Sequence, residues 1–132
     1  MSSLVASVFL RRVLALDAVA TAATGALLAT AAQPLEGLMG LPADMSRPVG
    51  LFLIAYAFLP GAMAALRVVP APAVWAVIGI NTVWSLESVG SLALGWVSPN
   101  ALGTAFVIAQ AAAVGGFAAL QYLGLRRSTR FA

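Results

Sequence analysis

The chain has 132 residues, of which 62% are hydrophobic and 8% charged, and its formal net charge is +3. A soluble domain needs about 25% charged residues to cover its surface, so this composition excludes a water-soluble globule and predicts a membrane protein. The chain has no Cys and no His, which removes disulfides, thiolate nucleophiles and the usual ligands of zinc and haem, so we expect no metal and no cofactor.

Four apolar stretches are long enough to cross a bilayer, which takes about 20 helical residues. In chain order, the spans are predicted at about 13–32, 48–66, 73–97 and 101–125. The chain leaves no room for a second domain. The predicted fold is therefore all-α, with residues 1–132 forming one transmembrane four-helix bundle.

The first predicted span carries polar and small residues on neighbouring faces. Asp17, Thr21 and Thr24 follow one another at helical spacing. Beside them runs a stripe of small residues, which predicts a close contact with another helix. The members of this stripe are Ala18, Ala22, Gly25 and Ala29.

The first span also has an alternative interpretation. Arg11 and Arg12, the apolar run and the small residues at 29–31 resemble a secretory signal peptide with its cleavage site. Asp17 inside the apolar run opposes this interpretation. We therefore predict an uncleaved span.

The connection at 33–47 contains many apolar residues among Gly and Pro. It is too apolar for a solvated loop, and we expect it to dip into the membrane interface or to cap the outer mouth of the bundle. In the second span, Pro48 is expected near the helix start, and Pro60 predicts a kink.

The boundaries of the third and fourth spans carry further signals. Pro72 is expected at the start of the third span, which Trp75 and Trp96 bracket as interfacial anchors. Ser98 is the predicted N-cap of the fourth span. The fourth span has a second small face, directed away from the bundle, which favours a neighbouring membrane protein. This face comprises Ala105, Ala112, Gly116 and Ala119.

The basic residues are all Arg and predict the orientation. Six of them fall on the side shared by both termini and by the connection between the second and third spans: Arg11, Arg12, Arg67, Arg126, Arg127 and Arg130. The positive-inside rule then places both termini in the cytoplasm, and the abundance of Ala, Gly and Arg favours a bacterial inner membrane. Because the charges stand at span ends rather than on a solvated stripe, we expect no nucleic-acid partner despite a pI of about 10.7.

Polar residues at similar depth on three spans predict an inner intramembrane cluster. It comprises Asp17, Asn81 and Gln121, with Arg12 reaching them by snorkelling. The favoured interpretation is structural: Asp17 pairs with Arg12, and the two amides hold the helices together.

A second, outer cluster is the predicted ligand-binding site. It comprises Glu87, Tyr56 and Gln110. Gln110 alone is typical of interhelical hydrogen bonding. No Arg reaches the depth of Glu87, so we expect a protonated side chain that serves either as a static donor or as a proton-coupled site.

Three segments together carry a resemblance: RVLALDA at 12–18, AVWAVI at 73–78 with Asn81 and Trp84, and LQYLGLRR at 120–127. They resemble a group of small, uncharacterised four-span bacterial inner-membrane proteins. The size and four-span layout are also similar to DoxX-like membrane proteins. The resemblance implies a four-helix membrane fold and no particular activity.

The sequence contains no catalytic motif, and this absence favours a non-catalytic accessory or assembly subunit of an inner-membrane complex. The expected partners are the lipid bilayer and other membrane subunits or a second copy of the chain. One alternative is a small membrane binder or transporter of a lipophilic or ionic ligand. A lipid- or quinone-linked membrane enzyme acting through Asp17 or Glu87 is a further alternative.

Overall fold

The computed structural model describes residues 3–130, and the chain is mainly helical over this range. The helices are α1 (Val8–Thr30), α2 (Ala32–Met39), α3 (Ala43–Ala64), α4 (Ala71–Ala93) and α5 (Ala101–Arg126). The short strands are β1 (Ser3–Val5), β2 (Val68–Pro70) and β3 (Thr129–Arg130). The helical class agrees with the prediction, whereas the strands were not predicted.

Three of the described helices, α1, α3 and α5, are long and apolar enough to cross a membrane. Helix α4 has 23 residues, which is a spanning length at about 1.5 Å per residue. It carries Asn81, Glu87 and three serines among its apolar residues. Its passage through a membrane remains a prediction.

Several helix boundaries differ from the sequence prediction. Helix α3 begins at Ala43, so Pro48 lies inside the helix and not at its start. The N-cap of α5 is Asn100 and not Ser98, because the Asn100 side chain accepts a 2.9 Å hydrogen bond from the Gly103 amide. Pro72 does lie in the first turn of α4.

The small-residue stripe of α1 packs against α3. A Cβ on Gly50 would lie 2.5 Å from the Gly25 carbonyl oxygen and 2.5 Å from the Ala29 amide nitrogen. Farther along the same interface, Ala18 lies against Gly61. Only glycine allows the two backbones to approach so closely, and this contact fixes the crossing of α1 and α3.

A three-stranded antiparallel sheet of order β2-β1-β3 closes one end of the bundle, called here the sheet end. Leu4 pairs with Val69 on one side and with Arg130 on the other. The sheet thereby holds the N-terminal strand, the α3–α4 connection and the C-terminal strand together. Leu4 and Val69 are fully buried over a core that also contains Leu10 and Val74.

The opposite end is covered by α2 and is called here the α2 end. The segment predicted as a connection at 33–47 therefore contains a helix and the first turn of α3. Leu35, Met39 and Leu41 are buried there against Leu53 and Val107. Apolar side chains explain why this segment folds onto the bundle instead of entering solvent.

Three of the interfaces between the long helices are close along their backbones. Helix α1 packs against α3 and α5, and α4 packs against α5, whereas α3 and α4 are not packed along their backbones over the described residues. Side chains bridge this gap: the rings of Phe52 and Trp84 stack at 6.3 Å between centroids. The space that the four long helices enclose holds the candidate site.

Candidate functional site

Asp17, Asn81 and Gln121 form a buried hydrogen-bonded cluster that joins α1, α4 and α5. Oδ2 of Asp17 accepts hydrogen bonds from Asn81 Nδ2 at 2.8 Å and from Gln121 Nε2 at 2.6 Å. Asn81 Nδ2 also donates to Gln121 Oε1 at 3.0 Å. The structure thus brings together three of the four residues that the sequence assigned to the inner cluster.

Arg12 does not join these residues. Its side chain is exposed, and no described hydrogen bond links it to Asp17. The neighbouring Arg11 donates from Nε to the Ala64 carbonyl oxygen at 3.0 Å, at the end of α3. The prediction that Arg12 reaches Asp17 by snorkelling is wrong, because Arg12 stands on an exposed face of α1 that is directed away from the bundle.

Two other residues complete the cluster. Thr21 Oγ1 donates to Asp17 Oδ1 at 2.9 Å, and the Tyr56 hydroxyl donates to Asn81 Oδ1 at 3.3 Å. Tyr56 was expected beside Glu87 and Gln110, and the structure places it with Asn81 instead. Thr21 was seen on the same face as Asp17, but helical spacing alone did not identify it as a carboxylate donor.

A cavity of about 300 Å³ lies between the helices in the α2-end half of the bundle. Glu87 and Gln110 both line it, together with Ser88, Ser91 and Trp84. Most of its remaining wall is apolar and comes mainly from α1, α3, α5 and the segment after α2; these residues include Leu28, Leu41, Met45, Val49, Leu53 and Val107. We call this space the outer cavity.

Glu87 and Gln110 occupy different positions around the outer cavity. Gln110 is half-buried and accepts a 3.0 Å hydrogen bond from Trp84 Nε1, so it is held in place. Glu87 is exposed, and no hydrogen bond to its carboxyl group is found among the described residues. The carboxyl group therefore stands at the edge of the cavity with its acceptors open.

The apolar wall of the outer cavity was not identified from the sequence. Its members come from α1, α3, α5 and the segment around Leu41, and nothing in their spacing distinguishes them from residues of an ordinary core. The available signal was the apolar character of 33–47, which indicated a cover at this end. The apolar character of this segment did not indicate that a cavity lies between it and the helices.

A second, much smaller cavity of about 20 Å³ separates the outer cavity from the buried cluster. Its polar lining is Thr21, Tyr56 and Asn81, which all belong to the cluster. Leu53 and Trp84 line both cavities. A volume of this size holds about one water molecule where polar partners are present.

Over residues 3–130, no group of three or more Asp and Glu side chains is placed to hold a metal ion. Comparisons with protein-family models, with curated proteins and with solved structures found no match. The resemblance to small four-span bacterial proteins therefore stays a prediction. The features that bear on function are the outer cavity and the cluster beneath it.

Proposed function

We propose that this protein binds a small lipophilic molecule in the outer cavity, with the polar head of that molecule directed to Glu87 and Gln110. The observation that carries the proposal is the cavity itself. It has a largely apolar wall, a polar strip on α4 and α5, and a volume near the lower end of the range for small-molecule sites, about 300 to 1,000 Å³.

The polar strip favours a head group that donates hydrogen bonds or carries a positive charge. Glu87 offers an open carboxyl group at the cavity edge. Ser88 and Ser91 donate to backbone carbonyls of their own helix and so present acceptor lone pairs. An amine or hydroxyl on an apolar body complements this lining.

The gap between α3 and α4 supports access from the bilayer. These two helices are not packed along their backbones, and the exposed ring of Phe52 stands beside Trp84 in the gap. A molecule dissolved in lipid enters between the two helices when the Phe52 and Trp84 rings move apart. It does not have to cross the cover formed by α2.

A photoreactive single-chain alkylamine, added to the full protein in lipid nanodiscs, tests the proposal. After irradiation, mass spectrometry should find the label on peptides from both walls of the outer cavity. Val107→Trp fills the cavity, since Val107 lines it and is 9% exposed. Ile108→Trp is the matched control, because the adjacent Ile108 is 52% exposed and lies outside the lining.

We expect Val107→Trp to abolish the labelling of the cavity and Ile108→Trp to retain it. Glu87→Gln should weaken labelling by the alkylamine, and a neutral alkane probe should be affected much less. Equal labelling in all variants, or labelling confined to lipid-facing residues, would contradict the proposal.

The proposed setting is a bacterial inner membrane that the chain crosses four times, with α4 spanning it in addition to α1, α3 and α5. The arginine distribution supports this topology, because Arg11, Arg67 and Arg126 all stand near the sheet end. The positive-inside rule makes the sheet end cytoplasmic. Cysteines introduced at Ser128 and Gly37 in intact cells test it: a membrane-impermeant maleimide should label only Gly37→Cys.

A second candidate function is that of an accessory subunit packed against another membrane protein. The small face of α5, formed by Ala105, Ala112, Gly116 and Ala119, is exposed, and space is open where a Cβ of Gly116 would stand. Small residues allow close helix packing in lipid. Gly116→Leu should release the protein from a complex isolated in mild detergent, whereas Gly79→Leu, also in open space but on α4, should not.

A further inference from the structure

Asp17 is a fully buried carboxyl group surrounded by neutral donors. Its three described hydrogen bonds come from Thr21, Asn81 and Gln121. None of these donors carries a charge. Burying an unpaired carboxylate at membrane depth is costly, so its charge needs compensation from another source.

No described cationic group faces Asp17. On α1 itself, Arg11 is bound to the Ala64 carbonyl and Arg12 is exposed. Helices α4 and α5 face it with amides, and α3 faces the cluster with Tyr56, the one titratable side chain that bonds into it. A proton or a bound cation is therefore left to balance the charge.

The orientation of the donors favours a proton over a metal ion. The amide groups of Asn81 and Gln121 both direct their N–H hydrogens at Asp17 Oδ2. The partial positive charge of these hydrogens would repel a metal cation bound at this oxygen. Each amide is held this way by a second bond: Asn81 Oδ1 accepts from Tyr56, and Gln121 Oε1 accepts from Asn81. One lone pair of Asp17 Oδ1, beside Thr21, stays available.

Thr21 differs from three other helical threonines in how its hydroxyl bonds. Thr24, Thr30 and Thr82 each donate to the backbone carbonyl four residues earlier in the helix, which is a common bond for a helical threonine. Thr21 donates instead to the Asp17 side chain. If Asp17 takes up a proton, Thr21 can return to the usual bond and accept the new O–H.

Of the described cavities, the one that is lined by residues of the cluster lies on the α2-end side of Asp17. Towards the sheet end, a buried aliphatic residue lies one helical turn from each of Asp17, Asn81 and Gln121; these are Leu14, Val77 and Leu125 respectively. Towards the α2 end lies the small cavity, which is lined by Thr21, Tyr56 and Asn81 and shares Trp84 with the outer cavity.

We propose that Asp17 is a proton-binding site that exchanges with the outer cavity and not with the sheet end of the bundle. A proton from water in the outer cavity passes through the small cavity and adds to Asp17 Oδ1. The Thr21 hydroxyl then accepts this O–H and turns its own hydrogen to the Asp17 backbone carbonyl. No bond other than O–H is made or broken, and the site does not depend on any ligand.

Infrared difference spectroscopy on the full protein in nanodiscs tests the first part. Acidification should produce the carbonyl band of a buried carboxylic acid, and Asp17→Asn should lose it. Asp44→Asn, at an exposed acidic residue in the first turn of α3, should retain it. Since Asp17→Asn directs a third amide at Asn81 and Gln121 and can disturb folding, Thr21→Val gives a second test: it keeps Asp17 and should shift the band.

The absence of any such band, or a band unchanged in both Asp17→Asn and Thr21→Val, would overturn the proposal. Repeating the titration with choline in place of sodium distinguishes the occupant. A band that appears only when sodium is removed would mean that the site holds a metal cation instead of a proton.

Sidedness is tested with Trp84 fluorescence in the Trp75→Phe/Trp96→Phe background, in proteoliposomes with uniform orientation. A pH jump on the α2 side should change the emission promptly. A jump on the sheet side should do so only as fast as the membrane leaks protons. Equal responses to the two jumps would overturn the proposed one-sided access.

Discussion

Asn81 is the residue on which the buried cluster depends most. It makes three side-chain hydrogen bonds, to Asp17, to Gln121 and from Tyr56, and so connects all four long helices. Interhelical hydrogen bonds in membrane proteins average about 0.6 kcal/mol and reach about 1.7 kcal/mol. Asn81→Leu should therefore lower the free energy of unfolding by about 2 to 5 kcal/mol.

The upper part of this range is expected, because the substitution also leaves Gln121 Oε1 buried without its donor. Reversible unfolding in mixed micelles, followed by far-UV circular dichroism, measures the change. Thr82→Val is the matched control: the adjacent Thr82 is exposed and bonds only to its own helix at Ile78. An Asn81→Leu protein as stable as the control would refute the view that the cluster holds the helices together.

Three further predictions concern packing, capping and the cavity. Gly50→Ala should destabilise the protein by about 1 to 3 kcal/mol in the same assay, because its Cβ meets the backbone of α1; Gly79→Ala, in open space on α4, should be neutral or stabilising, and equal effects would contradict the proposed α1–α3 crossing. Asn100→Ala should cost about 1 kcal/mol through loss of the α5 N-cap, with an added loss because Asn100 Nδ2 also binds the Leu38 carbonyl oxygen at 2.8 Å; a change confined to solubility would count against this. Glu87→Gln should leave the melting temperature unchanged while reducing alkylamine labelling, and a large drop in melting temperature would show that Glu87 has a structural role.

The partners of the polar residues were predictable in part. Asp17, Asn81 and Gln121 were assigned to one cluster from height and helical face, and the structure joins them by hydrogen bonds. This inference works because a helix has a fixed rise and a fixed angular step per residue, so depth and direction follow from residue number. The same reasoning gave the small-residue surface of α1.

Arg12 and Tyr56 show where this reasoning fails. Height allowed both assignments, but height does not say which helices are neighbours. The Gly25–Gly50 contact packs α3 tightly against α1. In this position Tyr56 of α3 faces α4, and its hydroxyl group reaches Asn81. Long, flexible side chains such as that of Arg12 have several reachable positions, and the face of the helix decides among them.

The strands and α2 were missed for a related reason. Segments of two or three residues, such as β1 and β3, have no periodicity of their own, and their pairing joins residues at opposite ends of the chain. The helical form of 32–39 is ended by Gly40, whose φ of 76° is accessible to glycine at little cost. Its place over the bundle depends on burial of Leu35 and Met39.

The amino-acid sequence by itself indicated a membrane environment, the helical class and the polar residues that should be buried away from lipid. Each of these depends on composition and on local periodicity. Only the tertiary structure decided that α3 and α4 meet through side chains, that Asp17 lacks a cationic neighbour among the described residues, and that a cavity of about 300 Å³ remains between the helices. Those properties arise from how closely two backbones approach, and that distance is set by pairs of residues far apart in the chain.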